Sequence, residues 1–391
     1  MILSGKHLQQ NASNLILQDE RDIPKYGSDR WILAAVIMLM MFGLLAVFSS
    51  IAFFAETRFT TASNLVGGHI VKLGIAFMVM IIFSKIDYHI LARFSKYAVL
   101  LSWIFLLVTT LYGQEVWGAR RSLSVGGFSF QPSSFAIVAL LIHIVVMIVR
   151  KREYVKDFKK SFIPMLVWIT ITCALIGIED FSSAALLFGL CLTVMFVGRV
   201  STAHILAVLL IGAIGGTALI MQTAERQSRV TNYIDQVLHI KSDEFVLAAG
   251  YQAQQAHIAV AQGGLFGVGI GKSTQRDFLP APYNDFIFAI ITEEYGLLGA
   301  GFLLFIYTLI LFRGLIYVAK RAIDEEGMLL AVACTLTVTM YAYVNAAVAT
   351  GLFPVTGLPM PFISYGGTSM LFSGIMIGII LNISKQRRGV E

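Results

Sequence analysis

Asp285 stands where a polar, proline-stiffened loop, S-T-Q-R-D-F-L-P-A-P-Y-N-D, gives way to a long apolar run, and Glu293 and Glu294 follow inside that run. Carboxylates are costly to keep in hydrocarbon, so acids at the mouth and in the body of a membrane helix point to a cavity and a function. Two readings of Asp285 are open. It could be a general base, partly desolvated at the outer end of its helix and within reach of an aqueous substrate group. It could equally be an N-cap that accepts backbone N–H bonds. The two glutamates are expected about 12 to 13 Å deeper, at 1.5 Å per residue. One of them could share the broad face of Asp285 in a polar network that binds substrate, or both could make structural hydrogen bonds between helices. Asp277 is a further candidate substrate contact, or one half of a solvated pair with Arg276.

Arg120 and Arg121 lie in a loop rich in glycine and aromatics, G-Q-E-V-W-G-A-R-R-S-L-S-V-G-G-F-S-F-Q. Their forked donors suit a phosphate or pyrophosphate group, with lipid headgroups as the alternative ligand. Gly267-Val-Gly-Ile-Gly271 follows no strand and opens no Rossmann unit, so tight backbone turns explain it better than a dinucleotide. Gln255 and His257 fall on an expected amphipathic helix over Tyr251–Gln262, which could lie along the membrane surface. His143, inside an apolar run, is expected to make an interhelical hydrogen bond. The stretch N-A-A-V-A-T-G-L-F-P-V-T-G-L-P-M-P-F-I-S-Y-G-G-T-S over 345–369 predicts a re-entrant packed hairpin. It could present Ser364, Tyr365 and the Gly366–Gly367 amides to a ligand, or serve as a rigid hinge.

These residues need a scaffold, and composition defines its kind. The chain has 391 residues, 57% of them hydrophobic and 13% charged. Soluble domains carry about 25% charged residues, so this is an all-α polytopic membrane protein. At about 20 apolar residues per crossing, ten spans are expected, over 31–53, 65–84, 95–112, 132–149, 162–178, 181–198, 203–221, 285–312, 328–350 and 364–384. No small-residue cleavage site follows the first, which reads as an uncleaved span. Residues 1–30 form a polar N-terminal tail, 31–384 a single membrane domain and 385–391 a short C-terminal tail. Cys173, Cys191 and Cys334 lie in apolar runs with no metal-like spacing, and imply neither a disulfide nor a zinc site.

Of the 29 lysines and arginines, about 20 fall before the first span, between spans two and three, four and five, six and seven, and eight and nine, or after the tenth. The positive-inside rule therefore puts both termini in the cytoplasm, and it explains the net charge of +6 without nucleic acid. The opposite, outer face carries the 113–131 loop, the Glu179-Asp180 turn, a loop of about 60 residues over 222–284 and the proline-rich 351–363 segment. Six of the eight prolines gather at that face. Irregular backbone is tolerated near a membrane where it is packed in protein or lines a watery cavity.

At these residues the chain resembles the SEDS family (shape, elongation, division and sporulation), which includes FtsW, RodA and SpoVE. The resemblance covers nearly the whole chain from Trp31. It rests chiefly on F-L-P-x-P-x-N-D-F-I-F-A-I-I-x-E-E-x-G-L-L-G at 278–299 and G-L-F-P-V-T-G-L-P-M-P-F-I-S-Y-G-G-T-S at 351–369. Weaker matches are G-L-L-A-V-F-S-S at 43–50, G-A-R-R…F-Q-P-S at 118–133 and Y-Q-A-Q-Q-A…G-G-L-F-G-V-G-I-G at 251–271.

The resemblance implies a ten-helix peptidoglycan glycosyltransferase in the bacterial cytoplasmic membrane. It would polymerise lipid II at the outer face, release undecaprenyl pyrophosphate, and work with a class B penicillin-binding transpeptidase and other division or elongation proteins. The family's essential aspartate matches Asp285, the arginine of G-A-x-R-W matches Arg121, and the aspartate of Q-P-D-L-G-T matches Asp180. Three positions depart from the pattern. Ser122 replaces the tryptophan, and Q-P-S-E-x-x-K reads Gln131-Pro-Ser-Ser134-Phe-Ala-Ile137, without glutamate or lysine. Another cation such as Lys72 or Arg120 must then substitute, or the role is dispensable. A divalent cation, Mg or Mn, could assist Arg120 and Arg121 at the pyrophosphate. The I-G-K-S-T-Q-R run and the polar N-terminal tail favour the division-type, FtsW-like role over the elongation-type, RodA-like one.

Two other function classes fit part of the pattern. A transporter flipping a lipid-linked precursor would also use intramembrane carboxylates and a broken outer segment. No inverted repeat is apparent, and the polar features gather on one face, which favours an enzyme. A structural scaffold for the division machinery would tolerate loss of every carboxylate.

Overall fold

The computed structural model describes residues 27–57, 62–116, 119–125, 128–222, 224–238, 250–279 and 283–386; residues 51–57, 62–65, 114–116, 119–121, 124–125, 128, 219 and 225–226 are described by backbone alone. Of the tail expected over residues 1–30, residues 1–26 lie outside the described part, as do the last five residues of the chain.

In lipid a chain must satisfy its own backbone, and helices do so locally. The apolar runs accordingly form α1 (Arg30–Thr57), α2 (Ala62–Phe83), α3 (Tyr88–Tyr112), α4 (Pro132–Arg150), α5 (Ile163–Glu179), α6 (Phe181–Val197) and α7 (Thr202–Ile220). After the amphipathic α8 (Ala224–Leu238) and α9 (Tyr251–Gly263) come α10 (Ile287–Phe312), α11 (Glu325–Ala349) and α12 (Gly367–Lys385). The chain is a multi-pass membrane protein. Eight stretches among the described residues are long and apolar enough to cross a membrane, and α6 and the Thr202–Ala218 part of α7 are further apolar helical stretches. The described apolar helices follow the order of the expected spans.

The segment between α3 and α4, expected as a loop, is a small antiparallel sheet of β1 (Gln114–Val116), β2 (Ala119–Val125) and β3 (Phe128–Phe130), in that order. In the β2–β3 pair Val125 faces Phe128, Ser124 faces Ser129 and Leu123 faces Phe130. β3 is pinned to the bundle at its end. The Gln131 N–H donates to Thr368 Oγ1 at 3.2 Å, and that hydroxyl donates to the Ser129 carbonyl at 2.7 Å.

The most buried helices are α4, α11 and α12. α12 runs parallel to α2 at close range through Gly374-Ile-Met-Ile-Gly378, a small-xxx-small spacing that lets two backbones meet. A Cβ on Gly374 would lie 2.6 Å from the Ala76 carbonyl oxygen, and one on Gly378 would lie 2.7 Å from that of Met80.

One end of the bundle is tied by charges. Asp29 caps α1 by accepting from the Trp31 and Ile32 amides at 3.0 and 3.1 Å, and it pairs with Arg313 at 2.6 Å. Its own N–H donates to Ser384 Oγ at 3.0 Å. Nearby, Asn382 donates to the Ser84 carbonyl at 3.1 Å, and Tyr88 donates to Asp324 at 3.0 Å. The start of α1, the α2–α3 and α10–α11 connections and the end of α12 therefore share one end, the end that carries the basic residues.

Candidate functional site

α10 is broken. Gly296 has φ 69° and ψ −172°, a backbone conformation that glycine tolerates and L side chains avoid. The chain that leaves α9 fills the break with strand-like hydrogen bonds. Val268 and Gly269 donate to the carbonyls of Glu293 and Glu294 at 2.9 and 3.1 Å, and Leu297 and Leu298 donate to those of Gly264 and Leu265 at 2.9 and 3.2 Å. Gly267, at φ 84°, sits so close that a Cβ would lie 2.5 Å from the Glu294 carbonyl carbon. The glycine-rich run is therefore a backbone-to-backbone seam that holds a helix break.

The break reverses the expected depth of the acids. Glu294 accepts from Ser49 Oγ at 2.5 Å, toward the C-terminal end of α1. The 284–285 turn instead lies beside the 358–364 segment, where a Cβ on Gly43, in the middle of α1, would meet Ile363 Cα at 2.9 Å. Six residues of α1 separate those levels, about 9 Å. Asp285 thus lies nearer the middle of the bundle than the glutamates do. The sequence expectation assumed one straight helix, and Gly296 turns the chain back. Both glutamates serve as interior anchors. Glu293, fully buried, accepts from Ser273 Oγ at 2.5 Å and from the Thr274 amide at 2.9 Å, and so shapes the turn that precedes the site loop. Arg276 donates to the Ser49 carbonyl at 3.0 Å and pairs with the exposed Asp277 at 3.3 Å.

Around Asp285 the backbone is fastened at three consecutive carbonyls. The Tyr365 N–H donates to that of Tyr283 at 2.8 Å, Ser364 Oγ to that of Asn284 at 2.7 Å, and Asn345 Nδ2 to that of Asp285 at 2.9 Å. Asn345 also donates to the Leu358 carbonyl at 2.8 Å, and Ser364 Oγ accepts from the Met360 N–H at 2.8 Å. Tyr307 donates to the Pro361 carbonyl. The 351–366 segment is the packed, non-helical insert that its prolines predict, and it clamps the loop bearing the half-buried Asp285. The N-cap of α10 is Phe286, with no side-chain capping bond. Ser364, buried at 1% exposure, spends its hydroxyl on this clamp. Sequence reasoning missed Asn345 as a holder of the site, although a lone amide late in an apolar run is the signal that marks it.

Tyr365 extends the site toward α2. Its ring stacks on His69 at 5.5 Å between centroids, meets Tyr283 edge-on at 5.5 Å, and lies 3.8 Å below Lys72 Nζ. Lys72 has no carboxylate within ion-pair distance among the described residues. His69 is fully buried, and neither ring nitrogen has a hydrogen-bond partner among them.

The remaining candidates are more dispersed. Arg120 and Arg121 fall on β2, but their side chains lie outside the described part. Asp180, 6% exposed, caps α6 by accepting from Ser183 N–H at 3.2 Å and Ser183 Oγ at 2.7 Å. Ser183 in turn lines a small cavity of about 40 Å³ with Ser134, Ile137, Tyr341 and Ser373. The two positions that depart from the Q-P-S-E-x-x-K pattern therefore face one interior space. His257 lines a separate cavity of about 190 Å³ with Gln236 and Tyr251, and burial holds its imidazole below the ordinary pKa. Gln255 is half-buried on the same helix, which packs against α10 and α11. His143 makes the expected interhelical bond, its Nδ1 lying 3.2 Å from Ser95 Oγ. Among the described residues no three His, Cys, Asp or Glu side chains gather as a metal cage.

Comparison with known proteins places this architecture. The model of a family described as "Cell cycle protein", built on FtsW, RodA and SpoVE, matches residues 30–389. Stage V sporulation protein E of Bacillus subtilis is 31% identical over 372 residues, which cover 93% of this chain and 99% of that protein. A probable peptidoglycan glycosyltransferase FtsW of Geobacter sp. is 30% identical over 93% of this chain and 98% of its own length. Among solved structures, a chain of a peptidoglycan synthase complex that coordinates polymerization and crosslinking superposes with a TM-score of 0.74 at 22% identity, covering 91% of this chain and 97% of that one. The rod shape determining protein RodA of Thermus thermophilus superposes with a TM-score of 0.64 at 19% identity, covering 93% and 98%.

Proposed function

The chain belongs to the FtsW, RodA and SpoVE family of cell-cycle proteins, and we propose that it is a peptidoglycan glycosyltransferase of the FtsW-like kind, polymerising lipid II at the outer face of the cytoplasmic membrane. The observation that carries this reading is the clamp on Asp285, which fixes one carboxylate inside a membrane bundle through its own and its neighbours' carbonyls. Holding a group in one place in a water-poor site is what general-base chemistry requires.

In the reaction the 4-hydroxyl of the acceptor GlcNAc attacks the anomeric carbon of the donor MurNAc. The new C–O bond forms as the bond to the pyrophosphate oxygen breaks, and both electrons of that bond leave with undecaprenyl pyrophosphate. Asp285 takes the hydroxyl proton. A single displacement on an α-linked donor gives a β-1,4 link, so the stereochemistry inverts and no covalent nucleophile is needed. Arg120 and Arg121 on β2 serve the pyrophosphate through forked donors. A Mg or Mn ion, if bound beside Arg120 and Arg121, would supply further neutralisation of the leaving pyrophosphate. Tyr365 and Asp277 stand as substrate contacts, Glu293 and Glu294 anchor the turn that precedes the site loop, Ser364 holds that loop, and Asp180 and Gln255 support neighbouring helices. Both termini face the cytoplasm, which puts the sheet and the clamp on the outer side with ten crossings in all. A class B penicillin-binding transpeptidase is the partner, as expected for a protein whose structural neighbour comes from a synthase complex that also crosslinks.

The test uses the purified full chain with its transpeptidase partner and fluorescent lipid II. Wild type yields a ladder of glycan polymers. Asp285→Asn lowers the rate by about 10²- to 10⁴-fold, the worth of a positioned base, without changing the melting temperature. Full polymer synthesis by Asp285→Asn removes the base assignment. A lipid II translocation assay in liposomes, run beside it, separates polymerase from flippase.

A further inference from the structure

Lys72 lies ten residues into α2, about 15 Å along the helix. A cation at that depth is costly and marks a function unless it is paired. Its ammonium group rests on the Tyr365 ring, and its stem packs on the first turn of α12, where a Cβ on Gly367 would lie 3.4 Å from Lys72 Cδ. That helix start carries the positive end of a macrodipole, and its N-cap, Gly366, makes no side-chain capping bond. Two positive features thus converge inside the membrane, an arrangement that disfavours folding unless an anion joins them. His69 is the independent sign of a missing ligand. It lies one turn before Lys72 on α2, is fully buried against Tyr365, and has both ring nitrogens without a hydrogen-bond partner among the described residues.

We propose that Lys72, His69 and the first-turn amides of α12 form an anion subsite for the pyrophosphate of the polyprenyl-linked donor, an assignment that rests on the glycosyltransferase reading of the same site. Tyr365 joins the two parts. Its ring carries Lys72, and its N–H holds Tyr283, two residues before Asp285. The charge that collects on the pyrophosphate oxygen as the glycosidic C–O bond breaks then faces the lysine, while the hydroxyl proton leaves toward the aspartate on the other side of Tyr283.

The experiment measures binding of farnesyl pyrophosphate to the purified full chain with its partner, next to inorganic pyrophosphate, farnesol and phosphatidylglycerol as competitors. Lys72→Met keeps the stem and removes the charge, and it should weaken farnesyl pyrophosphate at least tenfold, the loss expected for one charge-assisted contact. Lys72→Arg should bind the probe more tightly than Lys72→Met, because the charge is retained although its shape on the Tyr365 ring changes. His69→Phe, which keeps the stack on Tyr365, should weaken the probe about fivefold, as loss of one neutral hydrogen bond would. It provides the reading if Lys72→Met fails to fold. Inorganic pyrophosphate should compete and farnesol should not. Equal affinity of wild type and both the Lys72→Met and His69→Phe proteins overturns the subsite, as does displacement by phosphatidylglycerol at the concentration that inorganic pyrophosphate needs. The two readings fail separately: an Asp285→Asn protein that polymerises normally removes the base and leaves a Lys72-dependent probe site standing.

Discussion

The side-chain amide of Asn345 donates to the backbone carbonyls of Asp285 and Leu358, at 2.9 and 2.8 Å, and so joins two irregular segments that are 73 residues apart. Asn345 is 1% exposed and projects from the last turns of α11, a rigid element. The loop that bears the candidate base is therefore referenced to a helix.

Replacing Asn345 with leucine keeps the bulk and removes both donors. Two carbonyls then lose their partner in a buried setting, at a cost of about 1–3 kcal/mol each where no water replaces it. The expected outcome is a lower melting temperature in detergent together with a fall in kcat for lipid II polymerisation that exceeds any rise in KM, because the substrate contacts remain and the base shifts. Unchanged kcat in a folded Asn345→Leu protein would separate the clamp from the chemistry.

Asp324 gives a pH-dependent prediction. Burial alone would raise its pKa, but His89 at 2.8 Å, the Gly327 N–H at 2.6 Å and the Tyr88 hydroxyl at 3.0 Å hold the carboxyl below its ordinary value. A carboxyl depressed in the folded state stabilises the protein above the ordinary carboxylate pKa, and that contribution fades as pH falls through the lower folded value. Asp324 also caps α11. At neutral pH Asp324→Ala should cost about 1–2 kcal/mol, typical of a lost cap. The gap between the melting curves of wild type and variant should narrow as the pH is taken below 4, and a gap that widens there would contradict the assignment.

Gly267 and Gly271 make a matched pair. Both have positive φ, 84° and 77°, but a Cβ on Gly267 would collide with the α10 break whereas one on Gly271 meets nothing within 4 Å. Gly271→Ala should cost about 1 kcal/mol, from backbone strain alone. Gly267→Ala should cost clearly more and depress polymerisation, because the seam that holds Glu293 and Glu294 would open. Equal melting temperatures for the two variants would show that the close approach carries no weight.

The sequence is legible where physics is local. Apolar runs give the helices, the basic residues share the end at which Asp29 meets Ser384, and the prolines of 351–363 mark the packed insert. The depth of the glutamates was misread because hydropathy sees Asp285–Phe312 as one continuous span, and only Gly296 inside it signals the break. The sheet over 114–130 was missed although Ser124 and Ser129 alternate with apolar neighbours on either side of Gly126-Gly127, a hairpin pattern. The G-x-x-x-G of α12 was equally readable as a close helix contact. What no local pattern carries is the meeting of Asn345, Ser364 and Tyr365 with the 283–285 carbonyls, since it joins parts of the chain 60 to 82 residues apart.

Ser134 and Ile137 permit a direct test of how the departed pair was absorbed. They lie three residues apart on α4 and line the same cavity of about 40 Å³, beneath Ser373 and Tyr341. Ile137 is 5% exposed, so Ile137→Lys alone would place an unpaired ammonium in the core, a change of the kind that costs about 3–5 kcal/mol. Adding Ser134→Glu restores the family's spacing, at which the two side chains fall on one helix face. The double variant should recover a measurable part of that loss, with a coupling of about 1–3 kcal/mol in a double-mutant cycle of melting curves. If the pair also takes over the anion site, adding Lys72→Met to the double variant should harm farnesyl pyrophosphate binding less than it does in the wild-type background. Strict additivity in both measurements would mean that the α4 and α2 cations serve unrelated ends.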